Sequence, residues 1–144
     1  NNKNHKHTKT VGAMAQDALQ TSQKREAATL FSAAERHLED KKPQECLEAA
    51  ISALAIFRDL GGDRNGIADV LRLMVSAHLQ DKEAAEAQRL AERERANFEE
   101  AGDTRGQGAM LLALAEVAMG GRHRIDESAL RNASQALEMF REVG

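Results

Sequence analysis

The sequence predicts an all-helical protein built from a repeated pair of helices, and three observations support this fold class. Hydrophobic residues make up 42% of the chain but aromatic residues only 3%, so the apolar content is mostly alanine and leucine, which favour helices. Valine and isoleucine are sparse and do not alternate with polar residues, so no segment has the pattern of a strand. The third observation is an internal repeat of about 41 residues.

The repeat is clearest where each unit ends. Residues 57–66 read FRDLGGDRNG, residues 98–106 read FEEAGDTRG, and the chain ends FREVG. Phe57, Phe98 and Phe140 are 41 and 42 residues apart, so three of the four aromatic residues occupy one position of the repeat. Other columns carry small or apolar residues, namely Ala27, Ala68 and Ala109; Leu30, Leu71 and Leu112; Cys46, Ala87 and Ala129; and Ala50, Ala91 and Ala133. Their helical spacing predicts two amphipathic helices, A and B, in each unit.

The first part of the chain, residues 1–22, fits the repeat poorly. Asn1–Thr10 is polar and basic and is predicted to be a loosely held tail. The following segment is predicted to be a short degenerate capping helix, equivalent to a preceding helix B, because it carries a stripe of small and apolar residues: Val11, Met14, Ala15, Ala18 and Leu19.

The repeat domain is predicted to span residues 23–144. Its first unit, residues 23–62, starts with helix A1 from about Gln23 to Glu39, with Ser22 as the N-cap. Helix B1 begins at Pro43, because proline in a first turn lacks an N–H that would be unpaired anyway. It is predicted to end near Leu60, where Gly61 or Gly62 supplies the left-handed residue that closes a helix.

The second and third units are predicted to span residues 63–102 and 103–144. Asp63 and Asp103 are positioned as N-caps of helices A2 and A3. Asp81 and Asp126 are candidate caps of helices B2 and B3. Six helices joined by short turns are therefore expected.

The ends of the three units carry a family resemblance. ALAIFRDLGGD, ERANFEEAGD and ALEMFREVG resemble the close of the second helix in long, roughly forty-residue tetratricopeptide repeats. The resemblance covers about residues 23–144 and implies a right-handed superhelix of about three helix–turn–helix repeats. Glu94 and Glu116 depart from it, since they stand where small residues are expected. The period also falls in the range of HEAT and armadillo repeats, and HEAT-like stacking is the alternative fold.

Stacked helix pairs form a concave face lined by the A helices. The resemblance implies that a partner peptide or helix binds there. The candidate groove residues vary from repeat to repeat, as expected of a surface that a partner recognises: Phe31, Glu35, Asp69, Arg72, Ser76, Met110, Ala113 and Val117. The charged residues of this face belong to the first two units, and its residues in the third unit are apolar. The alternative is that the apolar part packs against a following repeat.

Charge and composition exclude several classes of function. The formal net charge is −3, whereas nucleic-acid binding usually requires a basic face, so no nucleic-acid partner is predicted. No apolar run approaches the ~18 residues of a transmembrane segment. A single cysteine suits a reducing compartment, and an intracellular, soluble protein is expected. Because the chain begins with asparagine, it is expected to be a fragment or a processed product.

The glycine-rich turns resemble phosphate-binding loops only superficially. A P-loop requires a lysine followed by serine or threonine, and neither GGDRNG nor AGDTRGQG contains that lysine. Cys46 shares its column with alanines and is predicted to be a small packing residue. His37 and His78 are one repeat apart and are predicted to pack between helices rather than bind a metal.

Two charged segments remain as candidate contact surfaces. The run EAQRLAERERANFEE is predicted to be the solvated face of helix B2, with electrostatic docking as the alternative. The turn GGRHRID is longer than its counterparts, and Arg122, His123 and Arg124 form a candidate basic contact loop.

No catalytic triad, metal site or pair of catalytic carboxylates is recognisable, so no enzyme activity, catalytic residue or cofactor is predicted. The predicted function is a non-catalytic interaction or scaffold module that presents a groove to a peptide, to a helix or to neighbouring subunits of a larger assembly. Two alternatives stay open. One is a structural subunit embedded in a multiprotein complex, and the other is a regulatory or sensor repeat domain of a longer signalling protein.

Overall fold

The computed structural model describes residues 2–61, 64–120 and 127–143, with side chains from Thr10 onward. These ranges contain six α-helices and no strand, which confirms the predicted all-helical class. In chain order the helices are α1 (Asn2–Glu39), α2 (Pro43–Leu60), α3 (Arg64–Gln80), α4 (Ala84–Glu100), α5 (Thr104–Met119) and α6 (Glu127–Val143).

Each helix packs against the next one along the chain, and α3 also packs against α1 and α5. Helix α3 is thus a neighbour of both α1 and α5, whereas the backbones of α1 and α5 do not approach each other within the described ranges. Likewise, the backbones of α2, α4 and α6 do not approach each other within the described ranges. The core therefore runs between two sets of helices. In the second set α2 and α4 each pack against two helices of the first set, and α6 packs against α5 among the described helices.

The repeated small residues fill this core. The columns of Ala27, Ala68 and Ala109 and of Cys46, Ala87 and Ala129 are buried throughout, as their recurrence predicts. Phe57 and Phe98 are also buried, whereas Phe140 is half-buried. Alanine and cysteine let helix backbones approach closely, and each phenylalanine ring fills the space that remains between helices.

The turns after α2 and α4 are closed by glycine. Gly61 and Gly102 have φ angles of +67° and +69°, a left-handed conformation that side chains disfavour. Pro43 stands in the first turn of α2, as predicted. Asp103 caps α5 as predicted, since its Oδ1 accepts a hydrogen bond from the Gly106 N–H at 2.9 Å. Gly62, Asp63 and Asp126 lie outside the described residues.

Asp81 does not cap α4, so that prediction is wrong. The chain turns through Lys82 with a φ of +61°, and α4 begins only at Ala84, which leaves Asp81 too far from the first free N–H groups. Its carboxylate instead accepts a hydrogen bond from the side-chain amide of Gln44 on α2. Asp81 therefore ties two neighbouring turns together.

The largest departure from prediction is α1, which is one continuous helix of 38 residues. The predicted start of a helix after Ser22 is wrong, and residues 2–10, expected to be a loose tail, belong to the same helix. One period before Gly61 the sequence has Gln20. Because no glycine is present there to take the left-handed conformation, the helix continues where later repeats turn.

Candidate functional site

The face shared by α1, α3 and α5 carries most of the predicted groove residues. On α3, Asp69, Arg72 and Ser76 follow at helical spacing and lie on one side of the helix. Six of the eight predicted side chains are exposed or half-buried, namely Phe31, Glu35, Asp69, Arg72, Ser76 and Val117. These six are accessible to a partner.

Met110 and Ala113 are the exceptions, and their prediction as groove residues is wrong. Both are fully buried in the core. The physical reason is that α5 packs more closely on α3 than α3 does on α1. Gly106 and Gly108 on α5 carry no side chain, so the neighbouring helices come close and enclose this part of α5. The accessible groove residues of α1 and α3 therefore have no accessible counterparts at Met110 and Ala113 of α5.

A cavity of about 310 Å³ lies between α1, the end of α2 and the beginning of α3. Phe31 and Phe57 form apolar walls of this cavity, and Asp69 contributes a carboxylate. Its complete lining is Ala28, Phe31, Ser32, Phe57, Asn65, Gly66 and Asp69. The structure thus brings together Phe31 and Asp69, two predicted groove residues that are distant in the sequence. In this recess Phe31 supplies an apolar wall and Asp69 supplies a negative charge.

Beside this recess, an ion pair joins α3 to α5. The Arg72 guanidinium lies 2.7 Å from Glu116 Oε1, and both side chains are partly exposed. The buried Nε of Arg72 has no hydrogen-bond partner among the described residues. Glu116 departs from the repeat pattern, and it pairs with Arg72, a predicted groove residue of the preceding unit. The ion pair therefore connects two adjacent helices of the same face.

A second cavity, of about 600 Å³, lies where α2 and α4 end and α3 and α5 begin. Arg58, Arg64 and Arg93 contribute three positive charges to its lining, and Ile67 and Phe98 contribute apolar surface. The remaining lining residues are Gly61, Glu94, Asn97, Ala101 and Asp103. This site was not predicted from the sequence, because its residues come from three different helices and the turns beside them, and no local pattern joins them.

The carboxylate of Glu94 organises that second cavity. It is buried, and both of its oxygens accept hydrogen bonds from Arg58 Nη2 at 3.1 Å. The Asn97 side-chain amide donates to it at 3.3 Å, and Arg93 Nε lies 3.6 Å away. The signal for this arrangement was present in the sequence, since Glu94 replaces the alanine found at positions 53 and 136. A buried carboxylate requires such partners.

The described residues hold no obvious reactive centre. No group of three or more His, Cys, Asp or Glu residues there is arranged to bind a metal ion. Cys46 is buried, and burial raises the pKa of its thiol, which disfavours the nucleophilic thiolate. His37 is half-buried, and His78 Nδ1 lies 3.3 Å from Glu83 Oε2 of the following turn. Across the described ranges, none of the helices combines the length and the apolar character that a membrane span needs.

The candidate basic loop of Arg122, His123 and Arg124 lies outside the described residues. No protein-family model matches the chain, and comparison with curated proteins and with solved structures gives no match. The resemblance to tetratricopeptide repeats thus depends on the repeated residues themselves.

Proposed function

We propose that the chain is a non-catalytic interaction module that binds a partner protein on the face formed by α1, α3 and α5. The observation that carries this proposal is the recess between Phe31 and Phe57 with Asp69 in its lining. A recess of about 310 Å³ accommodates one apolar side chain of a partner. Glu35 and Asp69 are exposed acidic groups on the same face and favour a partner with a basic residue beside that apolar anchor.

The superhelical arrangement of tetratricopeptide repeats belongs to the same proposal. It is supported by the repeat of about 41 residues and by the contacts of α3 with both α1 and α5. In such a stack the odd-numbered helices line the concave side, where an extended peptide or a helix is held along several units.

The experiment compares partner recovery by three versions of the chain. Asp69→Arg reverses an exposed charge of the recess, whereas Asp59→Arg makes the same change at an exposed position of α2 outside it. Affinity purification followed by mass spectrometry is expected to recover a protein with wild type and with the Asp59 variant, and to lose it with the Asp69 variant. Equal recovery by all three versions would contradict the proposal.

A second candidate function, a sensor domain that binds a small acidic ligand, is favoured by the arginine-lined cavity of about 600 Å³. Arginine guanidinium groups recognise carboxylates and phosphates through paired hydrogen bonds. A thermal-shift screen of di- and tricarboxylates and of phosphate esters tests it. Stabilisation by a ligand is expected to disappear with Arg64→Ala and to persist with Arg89→Ala, an exposed arginine of α4 outside the cavity.

A further inference from the structure

The arginine-lined cavity at the junction of α2, α3, α4 and α5 carries carboxylates as well as arginines. Arg58, Arg64 and Arg93 line it together with Glu94 and Asp103. A charge that is already paired within the protein has less attraction left for a ligand. The ligand that fits the cavity therefore depends on which of these five groups are engaged by the protein itself.

Two of the five groups bond to each other, and a third bonds to the backbone. The Glu94 side chain is 7% exposed, and both of its oxygens accept hydrogen bonds from Arg58 Nη2 at 3.1 Å. Asp103 Oδ1 accepts a hydrogen bond from the N–H of Gly106. Arg93 Nε lies 3.6 Å from Glu94 Oε1, which is too long for a hydrogen bond, and its side chain is 68% exposed. Arg58 is thus engaged by Glu94, whereas Arg93 keeps its guanidinium donors.

Arg64 supplies the third guanidinium of the cavity. It is the first residue of α3, it is exposed, and it forms no hydrogen bond or ion pair with another described residue. Arg64 and Arg93 therefore offer donors to the cavity from two different helices. Because guanidinium groups bind a carboxylate through paired hydrogen bonds, these two arginines provide a site for one anionic group.

The carboxylates of the lining disfavour a second negative charge on the ligand. Glu94 is buried, and like charges repel more strongly in a sheltered site than in bulk water. Asp103 adds another carboxylate to the same lining. The helix ends contribute little net charge, because two helices end and two begin at this cavity, and their partial charges oppose each other. A monocarboxylate avoids the repulsion that a dicarboxylate or a phosphate ester meets.

The apolar part of the lining favours an apolar body on that carboxylate. Ile67 is half-buried, and Phe98 and Ala101 extend the apolar surface. The cavity of about 600 Å³ is much larger than a carboxylate group and is typical in size of small-molecule sites. Apolar atoms of a ligand that are buried against these side chains contribute to its affinity.

We propose that this cavity binds a monocarboxylate with an apolar body. Arg64 and Arg93 hold the carboxylate, and the body packs on Ile67 and Phe98. Glu94 is a positioning residue, which fixes Arg58 and repels ligands with a second negative charge. This inference rests on the second candidate function, the sensor domain, and names the class of ligand that the domain would bind.

The test uses probes that differ from one another in a single feature. Hydrocinnamate and naphthylacetate carry one carboxylate on an aromatic body. Phenylsuccinate adds a second carboxylate, phenyl phosphate carries a dianionic group, hydrocinnamide lacks the charge, and acetate lacks the body. In titrations followed by amide chemical shifts, hydrocinnamate and naphthylacetate are expected to shift residues of the cavity. The other four probes are expected to bind more weakly by about tenfold or more.

The probes distinguish failure of this inference from failure of the function on which it rests. Binding of phenylsuccinate or phenyl phosphate without binding of either monocarboxylate would overturn the inference and leave the second candidate function standing. Chemical shifts unchanged by every acid would overturn both. Equal binding of acetate and hydrocinnamate would also overturn the inference, because the apolar body would then contribute nothing.

Variants of the lining test the role of each charge. Arg64→Ala and Arg93→Ala are each expected to weaken hydrocinnamate binding by about tenfold, whereas Arg89→Ala, outside the cavity on α4, is the matched control that leaves it unchanged. Glu94→Gln removes a negative charge and is expected to raise the affinity for phenylsuccinate relative to hydrocinnamate several-fold. Asp103→Asn is expected to act in the same direction, and asparagine still caps α5.

Circular dichroism and thermal melting verify that each variant is folded. The ratio of the two affinities is the decisive quantity, because a general loosening of the fold weakens both ligands alike. A ratio unchanged in both Glu94→Gln and Asp103→Asn would overturn the selection against a second negative charge.

Discussion

Glu94 occupies a position where the flanking repeats have alanine, and its burial makes it depend on Arg58. Arg58→Ala is expected to destabilise the protein by about 1–2 kcal/mol, because it leaves a buried carboxylate with fewer hydrogen bonds while Arg58 itself is half exposed. Glu94→Ala is expected to cost less than about 1 kcal/mol, since it removes the charge that needs a partner. Urea unfolding of the two variants checks this order. A larger loss for Glu94→Ala would contradict this order and show that the unpaired carboxylate is not the main cost of losing Arg58.

Gly106 and Gly12 provide a matched pair of glycines within helices. A Cβ on Gly106 would collide with the ring of buried Phe98, whereas a Cβ on Gly12 would meet no atom within 4 Å. Gly106→Ala is therefore expected to destabilise the protein by about 1–3 kcal/mol through overpacking. Gly12→Ala is expected to stabilise α1 by up to about 1 kcal/mol, because alanine has the higher helix propensity. Thermal unfolding with circular dichroism measures both, and equal effects would contradict the packing of Phe98 on Gly106.

For single residues, the sequence predicted the roles that depend on contacts with residues nearby in the chain. Asp103 was recognisable because an N-cap contacts an N–H three residues away, and the structure confirms it. The contact of Arg58 with Glu94 joins residues 36 positions apart, and no local pattern encodes such a pair. Glu94 was visible only as an exception in a column of alanines.

Among the elements, the repeated phenylalanines differ in burial although they share one repeat position. Phe98 is 8% exposed, and Phe140 is half-buried against Gly108, where an added Cβ would lie 3.0 Å from its ring. Phe98→Ala is expected to cost about 3–5 kcal/mol. Phe140→Ala is expected to cost about half as much, because α6 has no helix on its outer side among the described residues. Chemical denaturation compares the two, and a cost below about 1 kcal/mol for Phe98→Ala would refute the packing described.

Helix boundaries were predictable where a residue with special backbone geometry marks them. Pro43 and Gly61 fixed both ends of α2, and the structure confirms them. The start of a helix after Ser22 was predicted from the repeat register and from serine as an N-cap residue. Neither breaks a helix by itself, since residues such as Gln20 continue it, and the two apolar stripes of α1 face different directions.

For the whole molecule, the all-helical class followed from composition and period, but the accessibility of the groove did not. A prediction from the repeat gives equivalent positions the same role, so Met110 was predicted to lie on the surface as Asp69 does. Their environments differ because α5 packs more closely on α3 than α3 does on α1. How closely two helices approach depends on side chains from both, and a single column of residues does not contain that information.

The position of α3 among the helices determines where the fold is most stable. It packs against α1, α2, α4 and α5, and it contains the fully buried Val70, Leu71 and Val75. Amide hydrogen exchange is expected to be slowest in α3 and fastest in the exposed residues 10–22 of α1, because local opening costs least where few contacts are lost. Uniform protection along the chain would mean that the molecule opens only as a single unit.

The packing of each helix on the next along the chain also has a consequence for how the protein folds. Contacts between residues close in sequence require only short loops to close before they form, and such low contact order accompanies fast folding. Refolding in stopped-flow or temperature-jump experiments is expected within milliseconds or less. A slow major phase would contradict this, since the helices can assemble one onto the next without any distant segments having to meet.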